Sequence, residues 1–312
     1  MKKVMIILVF ILLAFLMLGE LAAFTLPKTL IPAEAEWVVH LDMGKFKSSH
    51  IGNLLIEEKH GGIKKKAKAF YKQTSIDLLQ DVSGVTIYGL GKNKQQTVMC
   101  LKGTFDKDYL LSLLEDVDAH REIPHGTHTI HKWNHSEYGL FVGEDLVFLA
   151  WNENAIKTAL DAVDGKSKNT SASSLKAYME EIPDNAFFAA LAKDISALAG
   201  YASKAVILKK AGSGLFTLTE QNEILKARFN ATAATPKDAA NMEQVIRGLI
   251  AMAQMQFEET YKELNLAESV QVSTNNNKVK IEINHPSEEI FQILTGRKMD
   301  SILSMGDFDP LS

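Results

Sequence analysis

An unbroken apolar run from Val4 to Leu18 follows Lys2 and Lys3, and no later apolar run in the chain approaches 18 residues. The run sits at the upper limit of a signal-peptide core and short of the roughly 20 residues that a spanning helix needs. Gly19 and Glu20 end it. Two small-residue cleavage sites follow: Leu21-Ala22-Ala23 has the right distance but a bulky residue at −3, and Ala33-Glu34-Ala35 has the right pattern farther downstream. If neither is cut, residues 4–26 form an anchor whose lysine pair stays cytoplasmic. Either way residues 1–35 read as a signal peptide or N-terminal membrane anchor. The body is then exported, as a periplasmic or secreted domain or one held at the membrane by that segment, and crosses no membrane itself.

Beyond residue 35 the pattern alternates between periods of two and of 3.6. Glu36–Asp42 reads as a strand with Trp37, Val39 and Leu41 on one face and Val38, His40 and Asp42 on the other. Phe46 to Gln80 reads as helical, broken near Gly61-Gly62. Ser83-Gly84 turns into Val85–Tyr88, which pairs with Thr97–Lys102 as a hairpin. Asp106 caps a helix carrying Leu110, Leu111, Leu113 and Leu114. A meander of Thr127–Trp133, Tyr138–Val142 and Leu146–Trp151 follows, then a helix capped by Asn152 and ended by Asp164-Gly165. Lys166 to Ser174 is polar and serine-rich, the best linker in the chain.

The second half restarts with Ile182-Pro183 and the strand Phe187–Ala192, then a helical stretch from Ile195 to about Lys210. Gly212-Ser213-Gly214 turns into Leu215–Leu218, paired with Ile224–Phe229. Thr235-Pro236-Lys237-Asp238 starts a helix running to about Asn265. Val270–Ser273 and Val279–Ile283 form a hairpin, and Ser287 caps the last helix. Both halves thus run strand, helix, hairpin, helix, meander or hairpin, helix, with Ile31-Pro32 matching Ile182-Pro183 and Ser83-Gly84 matching Ser213-Gly214. Lys278–Ile283 alternates polar and apolar, so one sheet face is wet there, as antiparallel sheets permit. The expected fold class is α+β: two tandem, duplicated antiparallel-sheet units with helices mainly on one face. The units are residues 36–165 and 182–297, joined by a linker or helical connection at 166–181 and followed by a tail, 298–312.

Composition supports a packed body, with 46% apolar and 23% charged residues. The net charge of −4 offers no basic face for nucleic acid. The one cysteine, Cys100, lies in the apolar run Val98–Leu101 and reads as a buried hydrophobe, so no intramolecular disulfide is available.

Trp37–Asp42, the stretch Asp81–Gly89 and the strand Gly126–Trp133 resemble a family of uncharacterised exported bacterial proteins, of the domain-of-unknown-function kind found in cell envelopes. The resemblance covers most of residues 30–295. It implies export and an α+β layout, and it carries no activity.

Candidate chemistry is sparse. His120, His125, His128, His131 and His135 fall within sixteen residues, five of the nine histidines in the chain. His128, His131 and His135 raise the question of a metal. On a strand, however, His131 and His135 lie about 13 Å apart and His128 points to the opposite face. Lys64, Lys65, Lys66, Lys68 and Lys72 form a basic helix face that suits weak contact with an anionic surface, or plain solvation. Gly212-Ser213-Gly214 is no phosphate loop, no G-x-S-x-G elbow exists, and Glu180-Glu181, Glu258-Glu259 and Glu288-Glu289 are adjacent helical pairs that cannot face each other. Met252 and Met255 suit core filling. No catalytic, cofactor-binding or metal residue is assigned and no cofactor is expected. The function this favours is a non-catalytic envelope interaction or scaffold module with an envelope protein partner. The alternatives are a small-ligand or metal-binding protein outside the cytoplasm, and a hydrolase with a dispersed site.

Overall fold

The computed structural model describes residues 26–58, 62–91, 93–115, 117–195, 211–257 and 269–295, without the side chains of 62, 63, 65, 66, 73, 94, 249 and 252–257. The apolar segment 4–18, the helical stretch expected at 196–210 and the tail 298–312 lie outside these residues. No described helix is long and apolar enough to cross a membrane.

The chain is α+β, built on one continuous antiparallel sheet of twelve described strands rather than two separate sheets. Its centre is β1 (Trp37–Asp42), paired antiparallel to β2 (Val82–Gly89) on one side and β8 (Phe188–Ala192) on the other. A strand so placed is covered on both faces, and Val38, His40, Leu41 and Asp42 are all buried. The polar pair is tolerated because each has a partner. His40 Nδ1 lies 2.9 Å from Thr86 Oγ1, and Asp42 accepts from the Lys45 amide at 3.0 Å and pairs with its ammonium at 2.9 Å.

Outward from β1 come β2, β3 (Thr97–Gly103), β7 (Leu146–Ala150), β6 (Tyr138–Val142), β5 (His128–Lys132) and β4 (Arg121–His125). Outward from β8 come β9 (Ala211–Gln221), β10 (Ile224–Ala233), β12 (Lys278–Pro286) and β11 (Val270–Asn275). Both sides place a strand, a hairpin, and a second hairpin whose later strand docks on the earlier one. The β4 and β5 strands have no counterpart among the described residues, and β4 escapes the sequence pattern because Pro124 interrupts it. At the sheet edge, the missing amide of a proline costs no ladder bond.

Three expectations change. Ser83-Gly84 and Gly212-Ser213-Gly214 are not turns but lie inside β2 and β9, at matching places in the two sides. The segment 26–35, grouped by sequence with the export signal, packs into the body: Ile31 and Ala35 are fully buried. It is held by the stretch read as a linker, through Ala33 N to Lys168 O at 2.9 Å, Thr170 N to Ile31 O at 2.8 Å and Thr170 Oγ1 to Lys28 O at 2.7 Å. Cleavage after Ala35 would therefore remove core, because Ile31 is an apolar side chain with no water contact. Ser287 is the first residue of its helix and makes no capping bond to it; its hydroxyl reaches Glu220 instead.

Helices α1 (Met43–Ser48), α2 (His50–Glu57), α3 (Gly62–Thr74), α4 (Lys107–Glu115), α7 (Pro236–Phe257) and α8 (Ser287–Leu294) cover one sheet face, that of Leu41, Val85, Leu101 and Val279. The other face, with Val38, Tyr88, Cys100 and Phe148, is packed by α5 (Glu153–Val163), α6 (Lys176–Glu180) and the 26–35 segment. Burial in that layer pushes the Cys100 thiol up to about 12, which keeps it protonated and unreactive. The cap signals read from sequence hold: Asp106 accepts from Tyr109 N, Asn152 from Asn154 N and Ala155 N, and Thr235 from Asp238 N.

On β10 and β12 the face opposite α7 is polar, as the alternation predicts. Lys226, Arg228 and Lys280 surround Glu282 at 3.4, 2.9 and 2.7 Å. Burial alone would raise this carboxyl, but the hydrogen bonds from Lys280 and Arg228 outweigh it and hold Glu282 at about 2, against 4.5 ordinarily. A depressed carboxyl stabilises the fold above its unfolded pKa and stops doing so as pH falls through the folded one. Glu282→Gln is thus expected to cost about 1–2 kcal/mol at neutral pH, discounted for the partly exposed partners. In urea melts the gap from the parent should close between pH 4.5 and 2.

Candidate functional site

The helix-covered face is not packed everywhere. Between α3, α4 and the sheet lies a partly enclosed cavity of about 310 Å³. Its floor is Val82 and Val85 of β2, Leu101 of β3, Phe141 of β6, and Val147 and Leu149 of β7. Its roof is Phe70 of α3 and Leu110, Leu111, Leu113 and Leu114 of α4. None of the α4 leucines is fully buried, because they face a void and not a packed layer. One wall is Trp133, whose ring can lie against β6 because residue 139 is glycine: a Cβ there would meet the indole at 2.8 Å.

Of the nineteen lining residues, Thr74, His131 and Trp133 alone bring polar side chains. The space is therefore hydrophobic, its polar groups being Thr74 of α3 and the His131 and Trp133 rings at the β4–β5 hairpin end. The Lys107 ammonium lies 5.8 Å from the Phe141 ring centre, a positive charge beside that part of the lining.

The hairpin sorts the histidines by strand alternation. On the face toward α5, His125 Nε2 meets Asp161 at 2.9 Å and His128 Nε2 meets Asp164 at 2.8 Å. Lys166 first and His128 second hold Asp164 down to about 2. On the cavity face, His131 meets His120 edge to edge, with ring centres 5.4 Å apart and planes 16° apart. His120 Nε2 and His131 Nδ1 are 3.1 Å apart, and Glu122 Oε1 is 3.9 Å from the same His131 nitrogen. Burial lowers the His131 pKa, with His120 and Lys107 acting the same way and Glu122 opposing. His131 thus meets neither His128 nor His135, which sits exposed in the turn before β6. The histidine partner it does meet, His120, lies eleven residues back, on the far side of a hairpin that the sequence pattern did not show.

No family model matches the sequence, and no curated protein is similar to it. Solved structures are similar in fold. Crystal form III of TP0453 superimposes with a TM-score of 0.54 at 9% identity, covering 87% of this chain and 98% of that one. Crystal forms I and IV of the same protein each give 0.51 at 9% identity, covering 88% and 98%. At that identity the likeness shows the α+β fold alone.

Lys64 pairs with Glu57 at 2.7 Å, and Lys68 and Lys72 are exposed; the side chains of Lys65 and Lys66 lie outside the description. Glu181 binds Lys278 at 3.0 Å and Asn230 at 3.0 Å. Glu258-Glu259, and the side chains of Met252 and Met255, are outside the described residues. A wider polar groove of about 760 Å³ runs beside α2 and Glu220, but Glu220 is already engaged with two helix starts. One sequence signal does point to the cavity. Leu110, Leu111, Leu113 and Leu114 span about 160° of helix circumference, an apolar stripe much broader than the ~100° that suffices for packing on a core.

Proposed function

We propose that the protein is a non-catalytic binding protein that carries a small apolar molecule in the cavity beneath α4. One observation supports this most: the lining is apolar except for Thr74 and the His131 and Trp133 end. The volume of about 310 Å³ falls at the lower bound of ordinary ligand pockets. Apolar cavities of about half that size stay dry and take up benzene-sized ligands. At about 24 cal/mol per Å³ of void, leaving this one unfilled forgoes packing energy on the order of several kcal/mol. A chain that packs Tyr88, Cys100 and Phe148 on the other face of the same strands to full burial has no structural need for such a gap.

Export belongs to the same reading, supported by the Lys2-Lys3 start and the apolar run behind it. So does the resemblance to uncharacterised exported proteins. The surface-scaffold reading draws less support. The large exposed apolar side chains among the described residues (Tyr71, Tyr109, Leu113, Ile224, Val245 and Leu294) are spread over five elements.

The test is titration of the full chain, in the form the cell accumulates, with 1-anilinonaphthalene-8-sulfonate. The parent should show saturable one-to-one binding with a blue shift. Val147→Trp and Leu111→Trp, which place an indole in the void, should abolish that binding while retaining the circular dichroism of the parent. Equal binding by folded cavity-filled variants, or none by the parent, rules the reading out.

A further inference from the structure

His120 and His131 meet edge to edge, ring nitrogen to ring nitrogen. The two imidazoles point a ring nitrogen at each other, 3.1 Å apart, with a Glu122 oxygen 3.9 Å from His131 Nδ1. All three ligand atoms lie within 4.8 Å of one another. Two nitrogens bound to one tetrahedral ion at about 2.05 Å lie roughly 3.3 Å apart, close to the observed spacing, and each ring needs to turn by about 40° to aim its lone pair at that ion. Glu122 is largely exposed, and its carboxylate can close the remaining distance by a rotamer change. His131 is mostly buried and fixed by its strand, where it stands directly across from Glu122 in the β4–β5 register.

We propose that His120, Glu122 and His131 form a binding site for a divalent transition metal, with zinc the reference ion. Two imidazoles and one carboxylate are a borderline donor set, which suits zinc, nickel or copper and not calcium or magnesium. Three protein ligands leave a fourth position open, the arrangement of zinc sites that accept water or a ligand atom. One proton now shared between the two facing nitrogens moves to the outer nitrogen of its own ring when the ion enters, so both rings stay neutral. The site does not depend on the cavity being occupied, but His131 belongs to both. An ion held there would stand beside the polar end of the apolar space.

The experiment is metal competition on the full chain, in the form the cell accumulates, stripped of metal and titrated with Zn2+ against a chromophoric chelator. A parallel titration with Co2+ reads coordination from its visible bands. The parent should bind one equivalent and give the intense Co2+ bands of a four-coordinate site. Losing even an indirect support of a metal ligand costs about 10–100-fold in affinity, so His120→Ala should weaken Zn2+ binding at least tenfold. His120 does not line the cavity, so anilinonaphthalene sulfonate binding should be unchanged in that variant, which separates this site from the apolar one. His135→Ala, on an exposed turn, should bind Zn2+ as the parent does. The proposal is overturned if the parent shows no saturable one-to-one binding at micromolar protein. It also fails if His120→Ala binds like the parent, or if His135→Ala loses as much as His120→Ala.

Discussion

Replacing Glu220 by alanine is expected to lower the stability of the whole chain by about 3 kcal/mol and its melting temperature by roughly 6–10 °C. The size follows from what one carboxylate holds. Glu220 sits on β9, in the second half of the chain, yet it accepts from the backbone amides of His50 and Ile51 at the start of α2, in the first half. The Ser287 hydroxyl at the start of α8 donates to the same carboxylate at 2.5 Å. The first amides of a helix have no partner within it, and a negative charge there also meets the positive end of the helix dipole. Truncation strips two buried-side amides and one hydroxyl of their acceptor, at about 1 kcal/mol or more each. Glu220→Gln keeps one acceptor oxygen and should lose about half as much. Thermal and urea melts of both variants check the order; an alanine variant as stable as the glutamine one would mean that the contact holds nothing together.

That link also explains what the sequence could and could not reveal. Element identity was legible wherever one face is wet or a cap is local. Lys278–Ile283 announces its strand by alternation, and Asn152, Asp106 and Thr235 cap helices within their own few residues. Long-range assembly left no such trace. Ser287 looks like a cap by position, but its hydroxyl goes to Glu220, 67 residues away in the chain. The seam between β1 and β8, which joins two expected sheets into one, depends on pairing across roughly 150 residues. The β4 strand was hidden by Pro124, and with it the histidine pairing that puts His131 against His120 and not His128. The cavity left one trace, the broad leucine stripe of α4. A stripe of that kind says that a helix faces apolar surroundings without saying whether those surroundings are side chains or space.

Two side chains on opposite faces of one sheet separate those two cases. Phe148 of β7 is fully buried against the α5 layer, with Cys100 as its cross-strand neighbour. Its change to alanine removes an aromatic ring from a filled site, and should cost about 3–5 kcal/mol. Leu114 of α4 lies over the opposite face of the same sheet and looks into the cavity, partly exposed. A side chain bordering a void has already forfeited part of its dispersion contacts, so its removal enlarges an existing gap instead of opening a new one. Leu114→Ala should therefore cost about 1 kcal/mol or less. Chemical denaturation of both variants, without added ligand, gives the comparison. If the two changes cost the same, α4 is packed like any core helix and the cavity is not a standing feature of the fold. If Leu114→Ala is nearly silent in stability but weakens binding of the apolar probe, the residues of that face are there to meet a ligand and not each other.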